Sequence, residues 1–195
     1  MTRSLAVTFD YRCPFAYNGN AAAINAVREG GDYEFRYLPF SLDQVHAEEG
    51  APPVWERTPG MWGTGVLALL YGIAVRDAFA DSFDEAHLAL FAARHDKGLK
   101  LGREDVLRDA VTSAGLDADA VAAEVWSGRP LATLATEHTE AVERWGVWGV
   151  PTFIEGEDAA FVRFMERGRV DDLERTIDLL AWTRLNEFKR PRVDR

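Results

Sequence analysis

Strand-forming patterns occur only near the two ends of this chain, and roughly a hundred residues between them carry helical signals alone. That distribution argues against sandwiches and barrels and for one small sheet assembled from distant segments. Leu5-Ala6-Val7-Thr8-Phe9 is a short apolar run with β-branched and aromatic members, the pattern of a strand buried on both faces. Asp10 to Pro14 reads as a turn, Phe15 to Arg28 is Ala-rich and helix-favouring, and Gly30-Gly31 stops it. From Tyr33 to Leu38, aromatics alternate with Glu34 and Arg36, as in a strand with one buried face. The opening is β-α-β.

The helical block follows Leu42. Thr58-Pro59 predicts a capped helix start, and Val66 to Phe79 is apolar almost all round. Ser82-Phe83-Asp84-Glu85 is a capping-box sequence before a helix towards His95. After Gly102, Val106, Leu107, Ala110, Val111 and Ala114 form one stripe, which Gly115 ends. Asp117 caps a helix bearing Val121 and Val125, Gly128 closes it, and Pro130 opens another to about Trp145. Two strands then return, Pro151 to Ile154 and Ala160 to Phe164, around a turn at Glu155-Gly156-Glu157-Asp158. A last amphipathic helix carries Val170, Leu173, Ile177 and Leu180, and the basic tail Lys189 to Arg195 is expected to fray.

Charge and cysteine content narrow the function. A net charge of −10 opposes wrapping nucleic acid or lying on an anionic membrane, and 47% hydrophobic residues suit a packed core. One cysteine excludes an intrachain disulfide framework. The run Leu5 to Phe9 is too short for a signal-peptide core and ends at Asp10, so the chain reads as cytoplasmic. His46, His87, His95 and His138 lack the close spacing of a metal pair, and no metal is expected. His87 and His95 read as surface residues, whereas His46 or His138 could reach a site as acid or base. Asp32, Asp43, Glu48 and Glu49 read as solvated surface.

The single thiol, Cys13, stands where the first strand hands over to the first helix, with Pro14 in the first turn. Unpaired N–H groups and the helix dipole favour a thiolate there, and such cysteines can fall from a pKa of about 8.5 to roughly 3.5–7.5. A drop to ~6.5 raises the thiolate fraction at neutral pH about 25-fold but lowers intrinsic nucleophilicity about 10-fold. The remaining benefit is an easily displaced sulfur, which favours exchange over permanent bonding.

Two segments carry a family resemblance. Cys13-Pro14-Phe15-Ala16-Tyr17-Asn18-Gly19 resembles the Cys-Pro-Trp-Cys-Tyr-x-Gly segment of DsbA-like proteins of the FrnE subgroup. Gly146-Val147-Trp148-Gly149-Val150-Pro151-Thr152-Phe153 resembles their Gly-Val-x-Gly-Val-Pro-x-Phe segment, which holds a cis-proline. The helical block, with Phe91 and Glu104-Asp105-Val106-Leu107 to Gly115-Leu116-Asp117, is similar to their insertion. The resemblance implies an α/β thioredoxin-like fold (β-α-β … β-β-α) in residues 1–41 and 146–195, interrupted by an all-helical insertion domain at 42–145. It places Cys13 beside a cis Val150–Pro151 bond in a cleft between the two parts. The Val150 backbone could then pair with an extended substrate.

The chain departs from that pattern at Ala16, where the family has its resolving cysteine. The implied function is a monothiol thiol–disulfide oxidoreductase with Cys13 as nucleophile and an external thiol, glutathione or mycothiol, completing the cycle, with no tightly bound cofactor. Pro14, Phe15, Trp148, Val150 and Pro151 are the expected substrate-binding residues. Two alternatives stay open. One is a glutathione-dependent isomerase or transferase of the 2-hydroxychromene-2-carboxylate isomerase or kappa-class type, acting on an apolar small molecule. The other is a non-catalytic binding protein. A homodimer is compatible with either. Phe15 and Trp148 flank the two motif loops, Tyr11 and Tyr17 add aromatic surface, and Trp55 and Trp62 suggest a mobile lid.

Overall fold

The computed structural model describes residues 2–185 and Glu187, so the tail at 189–195 lies outside the described residues. Strand β1 (Arg3–Phe9), helix α1 (Pro14–Arg28) and strand β2 (Tyr33–Pro39) form the opening unit, with β1 and β2 parallel in the register Arg3↔Tyr33 to Phe9↔Pro39. The return strands β3 (Thr152–Glu155) and β4 (Asp158–Phe161) are antiparallel, and β3 pairs antiparallel with β1. The sheet order is β2-β1-β3-β4. Helix α8 (Val170–Leu180) packs against α1, β3 and β4, with Leu173, Thr176, Ile177 and Leu180 buried. This is the thioredoxin arrangement, a mixed sheet split by the chain's central helices.

Between β2 and β3 lie α2 (Leu42–Val45), α3 (Val66–Ala78), α4 (Phe83–His95), α5 (Glu104–Ser113), α6 (Ala118–Val125) and α7 (Arg129–Trp145). Helix α3 is buried from Ala68 to Val75 because α4, α6 and α7 surround it, which explains its apolar sequence on every side. The core is continuous from sheet to helical block. Phe9, Tyr11, Tyr37, Phe83 and Phe91 meet in edge-on, tilted and stacked ring contacts, with His87 at the centre of the group. None of the described helices is long and apolar enough to cross a membrane.

Some local expectations need correction. Thr58-Pro59 begins only a single 3₁₀ turn, Pro59–Met61, with no side-chain cap; α3 starts at Val66, and its Gly65 N–H is taken by Asp43 Oδ2 at 2.8 Å. Ser82 precedes α4 but makes no capping bond, because a 3₁₀ turn at Ala80–Ser82 leads into the helix. Strand β4 begins two residues early, since Gly156-Glu157 alone make the turn and Asp158 already pairs with Glu155. Asp43 is no surface acid. It pairs with Arg12, and its side chain is 12% exposed. Trp55 and Trp62 are not free to form a lid. Trp62 stacks on Trp126 with centroids 6.0 Å apart and donates its indole N–H to the Arg57 carbonyl, while Trp55 lies 5.4 Å from the His138 ring.

Helix α3 approaches Tyr11 so closely that only glycine fits at position 72. A Cβ there would lie 2.8 and 2.9 Å from Tyr11 ring carbons and strike its hydroxyl. Gly72→Ala is expected to destabilise the fold by about 1–3 kcal/mol through overpacking, although alanine is the better helix former. Chemical denaturation checks this, and an unchanged or raised unfolding free energy would contradict the packing described.

Candidate active site

The site is built on the four residues that join β1 to α1. Asp10 is fully buried, and its two carboxylate oxygens accept from the Arg12 and Leu42 N–H groups, each at 2.8 Å. Its backbone carbonyl accepts from Cys13 N–H at 3.0 Å, which closes the turn. Burial pushes the Asp10 carboxyl up to about 6, against the pull of those N–H donors and the Arg12 charge. Tyr11 turns inward and donates its hydroxyl to His87 Nδ1 at 2.7 Å. Asn20 Nδ2 donates to the Thr8 and Ala16 carbonyls, so its Oδ1 is the acceptor for His87 Nε2–H at 3.1 Å. His87 is therefore a neutral core residue, its pKa lowered to about 3 by desolvation, not the surface residue its position suggested. His95 is also tied in and donates to the Tyr11 carbonyl at 2.9 Å.

Cys13 is the N-cap of α1, with extended backbone and Pro14 exposed in the first turn. Its sulfur accepts from Ala16 N–H at 3.4 Å and donates its proton to the Val150 carbonyl at 3.3 Å. The Val150–Pro151 peptide is cis. Val150 and Pro151 are both buried, so the backbone edge expected to face a substrate is covered, in part by the sulfur itself. Pro151 packs on α1 at Gly19, where an added Cβ would meet its Cγ at 3.0 Å. The cysteine and the proline loop thus meet through two contacts, one polar and one apolar.

The thiol is raised in pKa, contrary to the sequence expectation of a stabilised thiolate. Desolvation is the largest cause; the Ala16 and Phe15 N–H groups and the Arg163 charge oppose it, while Asp10 adds to it. Helix-start geometry is present, but burial outweighs it, and the sulfur lies protonated against a carbonyl.

Phe15 is half-buried, with the Arg163 guanidinium 5.6 Å from its ring centre. Trp148 is 62% exposed and packs on Phe161 at 4.3 Å. Tyr17 belongs to the core, stacked on Phe91 at 5.0 Å, with its hydroxyl donating to Asp96 at 3.2 Å. His138 is buried on Phe40 and accepts from Ser41 N–H at 3.1 Å, and His46 is exposed at the end of α2. Neither contacts Cys13. Among the described residues, no group of three or more His, Cys, Asp and Glu is placed to hold a metal. Sequence reasoning missed Asp10, Phe161 and Arg163 as neighbours of this site. The alternation of Phe161 and Arg163 within the expected strand Ala160–Phe164 was the available signal, although β4 ends at Phe161 and Arg163 lies just beyond it.

A four-stranded mixed sheet, a cysteine capping its first helix, and a proline loop against the sulfur define a thioredoxin-fold protein. The family model of the DSBA-like thioredoxin domain matches residues 4–178, and the chain belongs to that family. A curated relative, the uncharacterised YwbO of Bacillus subtilis, is 26% identical over 180 residues, covering 80% of this chain and 88% of YwbO. Among solved structures, 2-hydroxychromene-2-carboxylate isomerase is similar with a TM-score of 0.65 and 17% identity, over 93% of this chain and 97% of that one. The DsbA of Pseudomonas aeruginosa has a TM-score of 0.64 and 17% identity, over 94% and 88% of the two chains. Reduced DsbA1 of Neisseria meningitidis follows at 0.62 and 23% identity, over 92% and 83%. At such identities the structural likeness speaks for the fold alone.

The Asp10 carboxyl predicts a pH signature. It titrates near 6 in the folded chain against 3.8 for an ordinary aspartate, so folding takes up a proton between those values. Its contribution to stability is present below about pH 4 and is lost as pH rises through about 6, by an amount near 3 kcal/mol. The unfolding free energy of wild type relative to Asp10→Asn should therefore fall across that window. A pH-independent difference between the two proteins would contradict the raised pKa.

Proposed function

We propose that the protein is a monothiol exchange enzyme that removes a small thiol from a mixed disulfide, with Cys13 as nucleophile. The observation that carries this reading is the position of the Cys13 sulfur, capping α1 and 3.3 Å from the Val150 carbonyl in a chain with no second cysteine. Ala16 stands where a resolving cysteine would be, so it supplies an N–H to the sulfur but no thiol. A mixed disulfide on Cys13 therefore needs an external thiol.

The steps balance without a further oxidant. The Cys13 thiolate attacks the small-thiol sulfur of a mixed disulfide R–S–S–G; the S–S bond breaks as the new Cys13–S–S–G bond forms, and RS⁻ leaves and takes a proton. A second GS⁻ then attacks the G sulfur of Cys13–S–S–G, giving G–S–S–G and returning Cys13 as thiolate. The net reaction, R–S–S–G + GSH → RSH + G–S–S–G, consumes one free thiol, the other GS unit coming from the substrate, where G is the residue of glutathione or mycothiol.

The raised pKa fits this cycle if substrate activates the sulfur. Turning Sγ away from Val150 frees that carbonyl for a substrate N–H, as in strand addition. The sulfur then loses its acceptor and faces the Ala16 and Phe15 N–H groups and the Arg163 charge, all of which favour a thiolate. Attack would thus be coupled to occupancy.

A second reading rests on the same S–H donor. A protonated Cys13 could donate its hydrogen bond to the thiolate of bound glutathione, which would then react with an apolar substrate, as in the glutathione-dependent isomerases and transferases. The test is turnover of a glutathionylated peptide by wild type and Cys13→Ser. Exchange predicts that the serine variant loses at least about 10³-fold in kcat/KM, since no covalent intermediate can form. Turnover by the serine variant within an order of magnitude of wild type would overturn the exchange reading and favour the second.

A further inference from the structure

Three arginines lie around the start of α1, and they are not equivalent. Arg12 is neutralised by Asp43. Arg167 lies over the Tyr17 ring at 3.7 Å and pairs with Asp96 at 2.9 Å. Arg163, just beyond β4, makes no ion pair with any described residue; the contacts it does make are with two aromatic faces, Phe15 at 5.6 Å and Phe161 at 5.5 Å. Phe15 is two residues from Cys13 on the first turn of α1, and Phe161 holds the other motif loop. It packs on Trp148 at 4.3 Å and approaches Gly149, whose added Cβ would meet it at 3.1 Å. The guanidinium therefore bridges the two segments that present the sulfur and Val150.

We propose that Arg163 is the specificity-determining residue of this site, and that it selects disulfides carrying a carboxylate near the reacting sulfur. The inference rests on the exchange reading of Cys13 and adds the class of substrate. A guanidinium already held between two rings gives up little freedom on gripping a carboxylate, and its planar fork remains exposed. The need for such a residue follows from the chain's own charge. A protein of net charge −10 repels an anionic thiol at long range, and within a Debye length of about 8 Å one cation with no ion pair among the described residues reverses that locally. The Arg163 charge also reaches the sulfur, where it opposes the desolvation that raises the thiol. The flat surfaces of Phe15, Phe161 and Trp148 around it suit an anionic group attached to an apolar or planar body. Of the two candidate co-substrates, glutathione carries two carboxylates and mycothiol none, so Arg163 favours glutathione or another carboxylate-bearing thiol.

The test uses stoichiometric reaction of Cys13 in the full chain with two chromogenic disulfides. Dithiobis(nitrobenzoate) carries a carboxylate on each ring, and dithiodipyridine carries none. Arg163→Gln should slow the nitrobenzoate reaction about three- to fivefold, the size of an exposed ion pair, and change the dipyridine reaction by less than about twofold. Arg163→Lys should recover part of the loss, and about 1 M salt should erase most of the wild-type advantage. Equal slowing with both probes would overturn the proposal, because Arg163 would then act on the thiol alone, and so would no slowing with either. Because these rates need no turnover, the exchange reading and the carboxylate selection fail separately. A chain that shows the charge selectivity but does not turn over glutathionylated peptide sinks the first and supports the second.

Discussion

The placement of the whole site depends on one buried carboxylate. Asp10 ends β1 inside the protein and accepts two backbone N–H groups, one from its own turn and one from Leu42 at the start of the helical block. Without it those donors would be buried and unpaired, at a cost of about 1–3 kcal/mol each. The same bonds fix where the chain enters α1 and where the central helices leave the sheet. Tyr11 extends the join through His87 to Asn20 on α1, and Thr8 Oγ1 carries it to β3 by accepting Thr152 N–H at 2.8 Å. A chain of polar contacts therefore runs from α4 through β1 to the strand that follows the proline loop. Cys13 and Val150, 137 residues apart, are held in register by that chain.

The sulfur sits in a balance of opposed effects. An N-cap cysteine gains N–H contacts and the positive end of a helix, worth about 0.3–1 kcal/mol from the dipole at an exposed site. Here burial and the nearby Asp10 charge act the other way and win, so the proton stays and finds the Val150 carbonyl. That arrangement suits a reagent that should stay unreactive until a substrate competes for the same carbonyl.

Much of the architecture was legible in the residues. Alternation in Tyr33–Leu38, the all-apolar face of α3 and the turn glycines at 115 and 128 reported the elements correctly, because each rests on local periodicity or backbone freedom. What stayed hidden was set by tertiary contact. Asp43 and His87 have polar side chains that read as surface, yet Asp43 is only 12% exposed and pairs with Arg12, 31 residues away, and His87 is fully buried against Tyr11, 76 residues away. Asp10 read only as part of a turn, yet it is fully buried and accepts from Leu42 N–H, 32 residues on. Ser82 had a capping sequence but lost its cap to a 3₁₀ turn, a tertiary override of a local signal. At the site, the motifs located Cys13 and Val150 but not the direction of the thiol's pKa, which depends on burial that no local pattern encodes.

The claim that the sulfur is a protonated donor released by occupancy is tested most directly by thiolate absorbance against pH, with Cys13→Ser as the blank. A single cysteine makes the signal unambiguous. The account predicts a midpoint above that of an ordinary thiol in the protein alone, and a fall of about one unit or more with saturating S-methylglutathione, the equivalent of about 1.4 kcal/mol. A midpoint well below the ordinary value in the protein alone, or one that the ligand leaves unmoved, would contradict it.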